Sequence, residues 1–265
     1  MKAKYVNPFT DFGFKKLFGE EASKPLLLDF LNSLLPEEIE IKDLSFKNTE
    51  QLGRVQHDRK AVYDIYCETE EGEKVIVELQ KLKHNYFKDR TVYYSTFPIQ
   101  EQALRGDWNY KLKAVYCIGI LDFVFSDRYN VENEEDVIQR VKFKNQKGQI
   151  YYDKLTFIQL EMPNFNKTEA ELETRLDKWL YFIKHLEDFD AIPSLFQDAI
   201  FEQAFTTAAL SKMNEEERLE YNLNLKIYRD NKSAFETAWE DGINEGRRVG
   251  KEEGILEGMK EGMKE

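Results

Sequence analysis

Residues 60–80 read KAVYDIYCETEEGEKVIVELQ, and this stretch decides the fold. Both arms are rich in β-branched and aromatic residues and are joined by Glu70, Glu71 and Gly72, so 60–68 and 74–82 are expected to pair as a β-hairpin. Alternation puts Val62, Asp64 and Tyr66 on one face of the first arm, and Ile76, Glu78 and Gln80 on one face of the second. A three-residue loop with Gly72 in its left-handed position faces Thr69 with Glu73 and carries Asp64 opposite Glu78. A two-residue loop would shift the register by one and put the two acids on opposite faces. Carboxylates directly across a strand pair lie about 5 Å apart and repel. A divalent cation is the natural compensation, and hard oxygen ligands at that spacing suit Mg²⁺ or Mn²⁺. Gln80 points to the same face and could orient a water. The plain alternative leaves both acids in solvent on an edge hairpin, with Lys60 or Lys74 as cross-strand partners.

Outward from the hairpin, Phe9, Phe12, Leu17, Phe18, Leu26, Leu27, Phe30, Leu31 and Leu34 recur at three- and four-residue steps. They predict helix over 8–35, capped by Thr10 or Asp11, with Gly19 ending a first segment and Pro36 stopping the run. Residues 85–106 predict a helix across the sheet, complicated by Pro98. Residues 112–123 read as a continuous apolar run, the pattern of a strand buried on both faces after a crossover. Another strand is expected at 154–162, after a hairpin-like turn from Asn145 to Gly148.

From Lys167 the texture becomes helical. Leu172, Leu176, Trp179, Leu180, Ile183 and Leu186 form one apolar stripe, and Phe196, Ile200, Phe205 and Leu210 begin another. In the tail, Gly242, Gly246, Gly250, Gly254, Gly258 and Gly262 recur every four residues between Glu, Lys and Arg. That charge excludes a membrane helix pair and leaves either a solvated helix or an oligomerisation helix.

The chain has 265 residues, of which 42% are hydrophobic and 14% aromatic, ample for a packed core and unlike a disordered chain. The net charge of −12 is uneven: residues 1–125 hold 18 Lys+Arg against 20 Asp+Glu, and residues 126–265 hold 20 against 30. Charge alone therefore gives nucleic-acid binding no support. Cys67 and Cys117 lie in apolar strands and show no metal or disulfide spacing. The longest apolar stretch, 114–125, contains Asp122 and is too short to span a bilayer. A protein without membrane contact, located in the cytoplasm, is expected.

Asp64 followed by Val75-Ile-Val-Glu78-Leu-Gln80 resembles the D…ExQ variant of the PD-(D/E)XK nuclease superfamily. More closely, the chain resembles the Rpn recombination-promoting nucleases, also described as PD-(D/E)XK family transposases. The blocks that carry the likeness are Asn7 to Gly19, Asp89-Arg90 to Tyr94, Gly106 to Tyr110, the strand from Leu112, Asn214 to Arg218 with Tyr221, Arg229-Asp230, and the Glu/Gly tail.

The resemblance implies an α/β fold: a restriction-endonuclease-like core, with a mixed central sheet flanked by helices, followed by a helical C-terminal part. The expected divisions are 1–165 for the nuclease-like domain, 166–240 for the helical region and 241–265 for the tail. It implies a Mg²⁺-dependent DNA endonuclease, with Mn²⁺ as a substitute, acting in recombination or mobile-element biology. Asp64 and Glu78 would be metal ligands, and Gln80 would stand where the superfamily often has Lys.

That departure leaves two readings. Either Gln suffices, or a cation such as Lys15 or Lys16 reaches in from the first helix. Asp11 is a further acidic candidate, with helix capping as its alternative role. Arg90 and Tyr94, one helical turn apart, are candidates for phosphate contact or site support. DNA is the expected partner, and the C-terminal helices are candidate homo-oligomer contacts. A second functional reading is a catalytically weak or inactive nuclease-like scaffold that binds DNA or protein and oligomerises through those helices.

Overall fold

The computed structural model describes residues 3–35, 38–51, 61–103, 109–125 and 137–262. Two helices open the chain, α1 (Asp11–Phe18) and α2 (Lys24–Leu34). Thr10 caps the first, its Oγ1 accepting from Gly13 N at 3.0 Å, while Pro25 enters the second at its first turn. The segment expected as helix over 8–35 is thus broken at Gly19. Its expected stop, Pro36, lies outside the described residues.

The strands follow as β1 (Leu44–Phe46), β2 (Glu50–Gln51), β3 (Ala61–Val62), β4 (Ile65–Thr69) and β5 (Lys74–Gln80). After α3 (Phe87–Gln100) come β6 (Val115–Leu121), β7 (Ile138–Lys144) and β8 (Ile150–Glu161). Six of them form a mixed sheet in the order β1-β4-β5-β6-β8-β7, and β2 pairs only with β3. β5, β6 and β8 run parallel, and the other pairs are antiparallel. Every residue of β6 is buried, as expected of a central strand entered by a crossover. Pro98 falls in the last turn of α3, where it cannot donate to the Tyr94 carbonyl; that oxygen accepts from Tyr63 OH at 2.9 Å instead.

The hairpin has the three-residue loop. Thr69 N donates to Glu73 O at 3.0 Å, Gly72 sits at φ +88°, and Ile65 faces Val77. A side chain at that φ would be strained, so the turn depends on glycine. The expected first strand is, however, interrupted at Tyr63 and Asp64. β3 before the break pairs with Gln51 and Glu50, and β4 after it pairs with β5.

Three further helices complete the chain: α4 (Arg175–His185), α5 (Ala199–Ala208) and α6 (Glu215–Gly262). α4 and α5 pack against α1 and α2. By packing, residues 1–224 form one compact unit and residues 225–265 a second. The strand-to-helix change in sequence texture near residue 165 falls inside the first unit. The second unit is helical through Gly262, and its glycines from Gly242 to Gly258 face open space.

The packing of α2, α4 and α5 is pinned by polar groups. Trp179, fully buried, donates its indole N–H to Asp29 Oδ1 at 2.6 Å. Arg175 reaches the same oxygen at 2.7 Å and Asp198, the α5 cap, at 2.6 Å. Replacing Asp29 by Ala strands the buried indole donor, and urea unfolding at pH 7 should show a loss of about 1–3 kcal/mol. Unchanged stability would remove Asp29 from the packing scheme.

Candidate functional site

Ile76, Glu78 and Gln80 of β5 share a sheet face with Cys117 and Gly119 of β6 and Phe157 and Gln159 of β8, by alternation and register. α3 lies over this face, with Tyr94, Phe97 and Ile99 packed on the cluster formed by Tyr63, Tyr66, Ile76 and Cys117. The site lies where this apolar cover ends.

One residue beyond the β4–β5 ladder, Asp64 meets Glu78. The bend at Asp64 lets its backbone N donate to Glu78 Oε1 at 3.2 Å, and Leu79 N in turn donates to Asp64 Oδ2 at 2.7 Å. Each carboxylate is thus held by the opposite strand's backbone. Both are half-buried. The edge-hairpin alternative fails on this point: Lys74 pairs with Glu68 at 2.6 Å and Glu101 at 2.8 Å, while Lys60 lies outside the described residues.

Burial raises both carboxyls. Asp64 lies above its ordinary value, mainly through desolvation. The Leu79 hydrogen bond opposes this, Asp11 adds to it, and Lys15 and Lys81 pull the other way. Glu78 is pushed up to about 8, first by burial and then by the charge of Asp64; the Asp64 N–H, Arg90 and Gln80 offset only part. Two acids that resist ionising together form a site short of positive charge.

The sign of the pH effect follows. An unfolded Glu titrates near 4.5 and the folded Glu78 near 8, so the folded state binds more protons between those values. Its stability contribution is full below about pH 4.5 and lost as pH rises through 8. Calorimetric melts of chelator-treated protein should show the melting temperature falling between pH 5 and 8.5. Glu78→Gln should flatten that slope; an equally steep slope in the variant would refute the assignment.

Gln80, buried, fills the gap between the acids and α3. Its Nε2 donates to Glu78 Oε2 at 3.2 Å, and its Oε1 accepts from Arg90 Nη2. Arg90 also lies over the rings of Phe87 and Tyr94, at 5.8 Å and 5.7 Å. Tyr94 contributes its backbone carbonyl as acceptor for Tyr63 OH at 2.9 Å. A lysine at position 80 could not make this bridge, because it has no acceptor for Arg90.

Asp11 pairs with Lys81 at 2.8 Å, and both act on Asp64 electrostatically, as does Lys15. Lys16 does not join them. It binds Glu217 at 2.6 Å and lies over the Phe12 ring, so the expectation that it reaches the acids is corrected. Lys81, the residue just past the end of β5, is thus a cation on the Asp64 side of the pair. Beside the acids, an open groove of about 760 Å³ is lined by His84, Tyr86, Asp89, Arg90, Tyr93 and Tyr94.

The donor set fits a hard divalent cation. Two adjacent carboxylates are the usual protein share for Mg²⁺, which keeps waters and takes the rest from phosphate oxygens. Among the described residues no group of three or more His, Cys, Asp or Glu is placed to hold an ion, and Asp11 is paired with Lys81.

A model of the PD-(D/E)XK nuclease family transposases matches residues 8–238. The chain belongs to that family. The match spans the sheet, the helices α1 to α5 and part of α6, and it agrees with the mixed α/β core and the helical C-terminal region. Searches of curated proteins and of solved structures return no match. Membership supports a nuclease-like function. No described helix is long and apolar enough to cross a membrane.

Proposed function

We propose that this PD-(D/E)XK family member is a metal-dependent DNA endonuclease that hydrolyses phosphodiester bonds, with Asp64 and Glu78 as the metal ligands. The observation that carries the reading is the reciprocal arrangement of the two half-buried acids, each fixed by the other strand's backbone, whose joint ionisation is unfavourable without an added cation. Mg²⁺, or Mn²⁺ in its place, would supply positive charge against the scissile phosphate.

The chain's own residues do the rest. The Leu79 and Asp64 amides hold the carboxylates in place, so no rotamer search precedes binding. Gln80 fixes Glu78 and passes the positive field of Arg90 towards it, supplying part of what a lysine would. Lys15 and Lys81 bring positive charge to the Asp64 side, and Asp11 orients Lys81. The groove beside α3 offers Arg90, His84 and two exposed tyrosines to a DNA strand, a charge-plus-stacking surface that needs no basic whole-chain balance.

The free, buried Cys67 and Cys117 accord with a reducing cytoplasm, and recombination or mobile-element processing is the setting that the family description suggests. In the 225–265 unit, Phe235 and Trp239 stack with ring centroids 6.5 Å apart and both are exposed, the proposed contact for a second copy. A monomeric mass by light scattering would remove that part.

The functional test uses purified protein, supercoiled plasmid and Mg²⁺ or Mn²⁺. Nicking is expected, and it is lost in Asp64→Ala and Glu78→Ala. Cleavage surviving both substitutions would sink the site.

A further inference from the structure

The row that Asp64 and Glu78 begin continues across the sheet. Register places Glu78 beside Gly119 on β6, and Gly119 beside Gln159 on β8. Gln159 is only 7% exposed and, among the described residues, its Oε1 meets no hydrogen-bond donor. A buried amide oxygen without a donor is costly, and a leucine of similar size would carry no such cost.

Gly119 shows where that oxygen lies. A Cβ built on Gly119 would stand 2.2 Å from Gln159 Oε1, so the amide leans over β6 through space that only glycine leaves. Since β6 separates β8 from β5, the oxygen leans towards Glu78. Glu78, Arg90, Tyr94, Gly119 and Gln159 line one cavity of about 20 Å³ together with Thr91, whose hydroxyl donates to Phe87 O, and apolar groups such as Ile76, Phe87 and Cys117. One water needs roughly 10–15 Å³ by this measure and two to four polar partners. The cavity has room for one water and is too small for a nucleotide.

We propose that Gln159 is a positioning residue of the acid site, acting through one internal water that links its Oε1 to Glu78 and Arg90, with Gly119 as the slot that admits it. The water donates one hydrogen to Gln159 Oε1 and the other to the Glu78 carboxylate, and it accepts from the Arg90 guanidinium. Glu78 is then fixed from three sides: the Asp64 amide, the Gln80 amide and the water. The effect on activity rests on the proposed metal-dependent nuclease; the water does not.

The test uses the full-length protein, with Gln159→Leu and Gly119→Ala. A high-resolution crystal structure of the wild type should show one ordered water within hydrogen-bond distance of Gln159 Oε1 and of Glu78 or Arg90. Gln159→Leu should keep the wild-type melting temperature or exceed it, weaken Mn²⁺ binding in calorimetry by about 10–100-fold, lower kcat by a similar factor and leave KM for DNA within about twofold. Gly119→Ala should displace the amide and reproduce the kcat loss. A dry cavity overturns the proposal, as does a Gln159→Leu variant with wild-type Mn²⁺ affinity and kcat. If the wild type binds no Mn²⁺ through Glu78, the nuclease reading fails on its own, and the water in the cavity still decides the role of Gln159.

Discussion

Glu78→Gln should abolish metal-dependent cleavage while raising the melting temperature of metal-free protein above pH 8. The two effects share one cause. Glu78 is half-buried beside Asp64, and its carboxyl is pushed up to about 8 because ionising both acids there is unfavourable. At pH 8.5 the folded protein bears that repulsion; a neutral amide of the same shape does not. Gln can still accept from Asp64 N through its oxygen, so the hairpin keeps its bend; its NH₂ then faces the Gln80 Nε2 donor, which offsets part of the gain. The stability gain should be a few kcal/mol, on the order of the pKa displacement converted at about 1.4 kcal/mol per unit. The activity loss should be on the order of 10³-fold, since a cation at such a site contributes several kcal/mol of transition-state stabilisation. Parallel melts and plasmid-nicking rates check both. A variant that is both less stable and inactive would point to misfolding, and one that is stabilised yet active would remove Glu78 from the chemistry.

Gln80→Lys, which restores the residue common elsewhere in the superfamily, should damage this protein. Gln80 Oε1 accepts from Arg90 and its Nε2 donates to Glu78, a use of both ends of an amide that an ammonium cannot copy. The substitution sets a lysine against a guanidinium at a buried position. It should cost about 2–4 kcal/mol of stability and about 10²-fold in cleavage. Adding Arg90→Gln removes the clash and should recover part of both losses, a coupling that a double-mutant cycle measures. A Gln80→Lys protein with wild-type melting and faster cleavage would show that Arg90 has no such role.

The hairpin register was legible because one feature, Gly72 in a left-handed turn, fixes every facing pair between β4 and β5. The break at Tyr63 and Asp64 was not, since it depends on β3 finding Glu50 and Gln51 across a separate ladder. Strand periodicity carries no information about such a partner. Lys15 and Lys16 are adjacent, and neighbouring helical residues point about 100° apart, so only the packed helix reveals that Lys16 turns to Glu217. The packing of α4 and α5 on α1 and α2 was hidden for a related reason: more than a hundred residues lie between the two pairs. Gln159 did leave a trace. It is a polar residue inside the buried run of β8, as Glu78 is inside β5, and Gly119 lies between them. Reading that trace needs the parallel order of β5, β6 and β8, which periodicity does not supply.

The central claim is that Asp64 and Glu78 together hold a divalent cation. Calorimetric titration of Mn²⁺ into the full-length protein at pH 8, without DNA, tests it most directly. One saturable site is expected in the wild type and none in Asp64→Asn or Glu78→Gln, with both variants folded by their melts. Binding that persists in the two variants, or a folded wild type that takes up no ion, would contradict it.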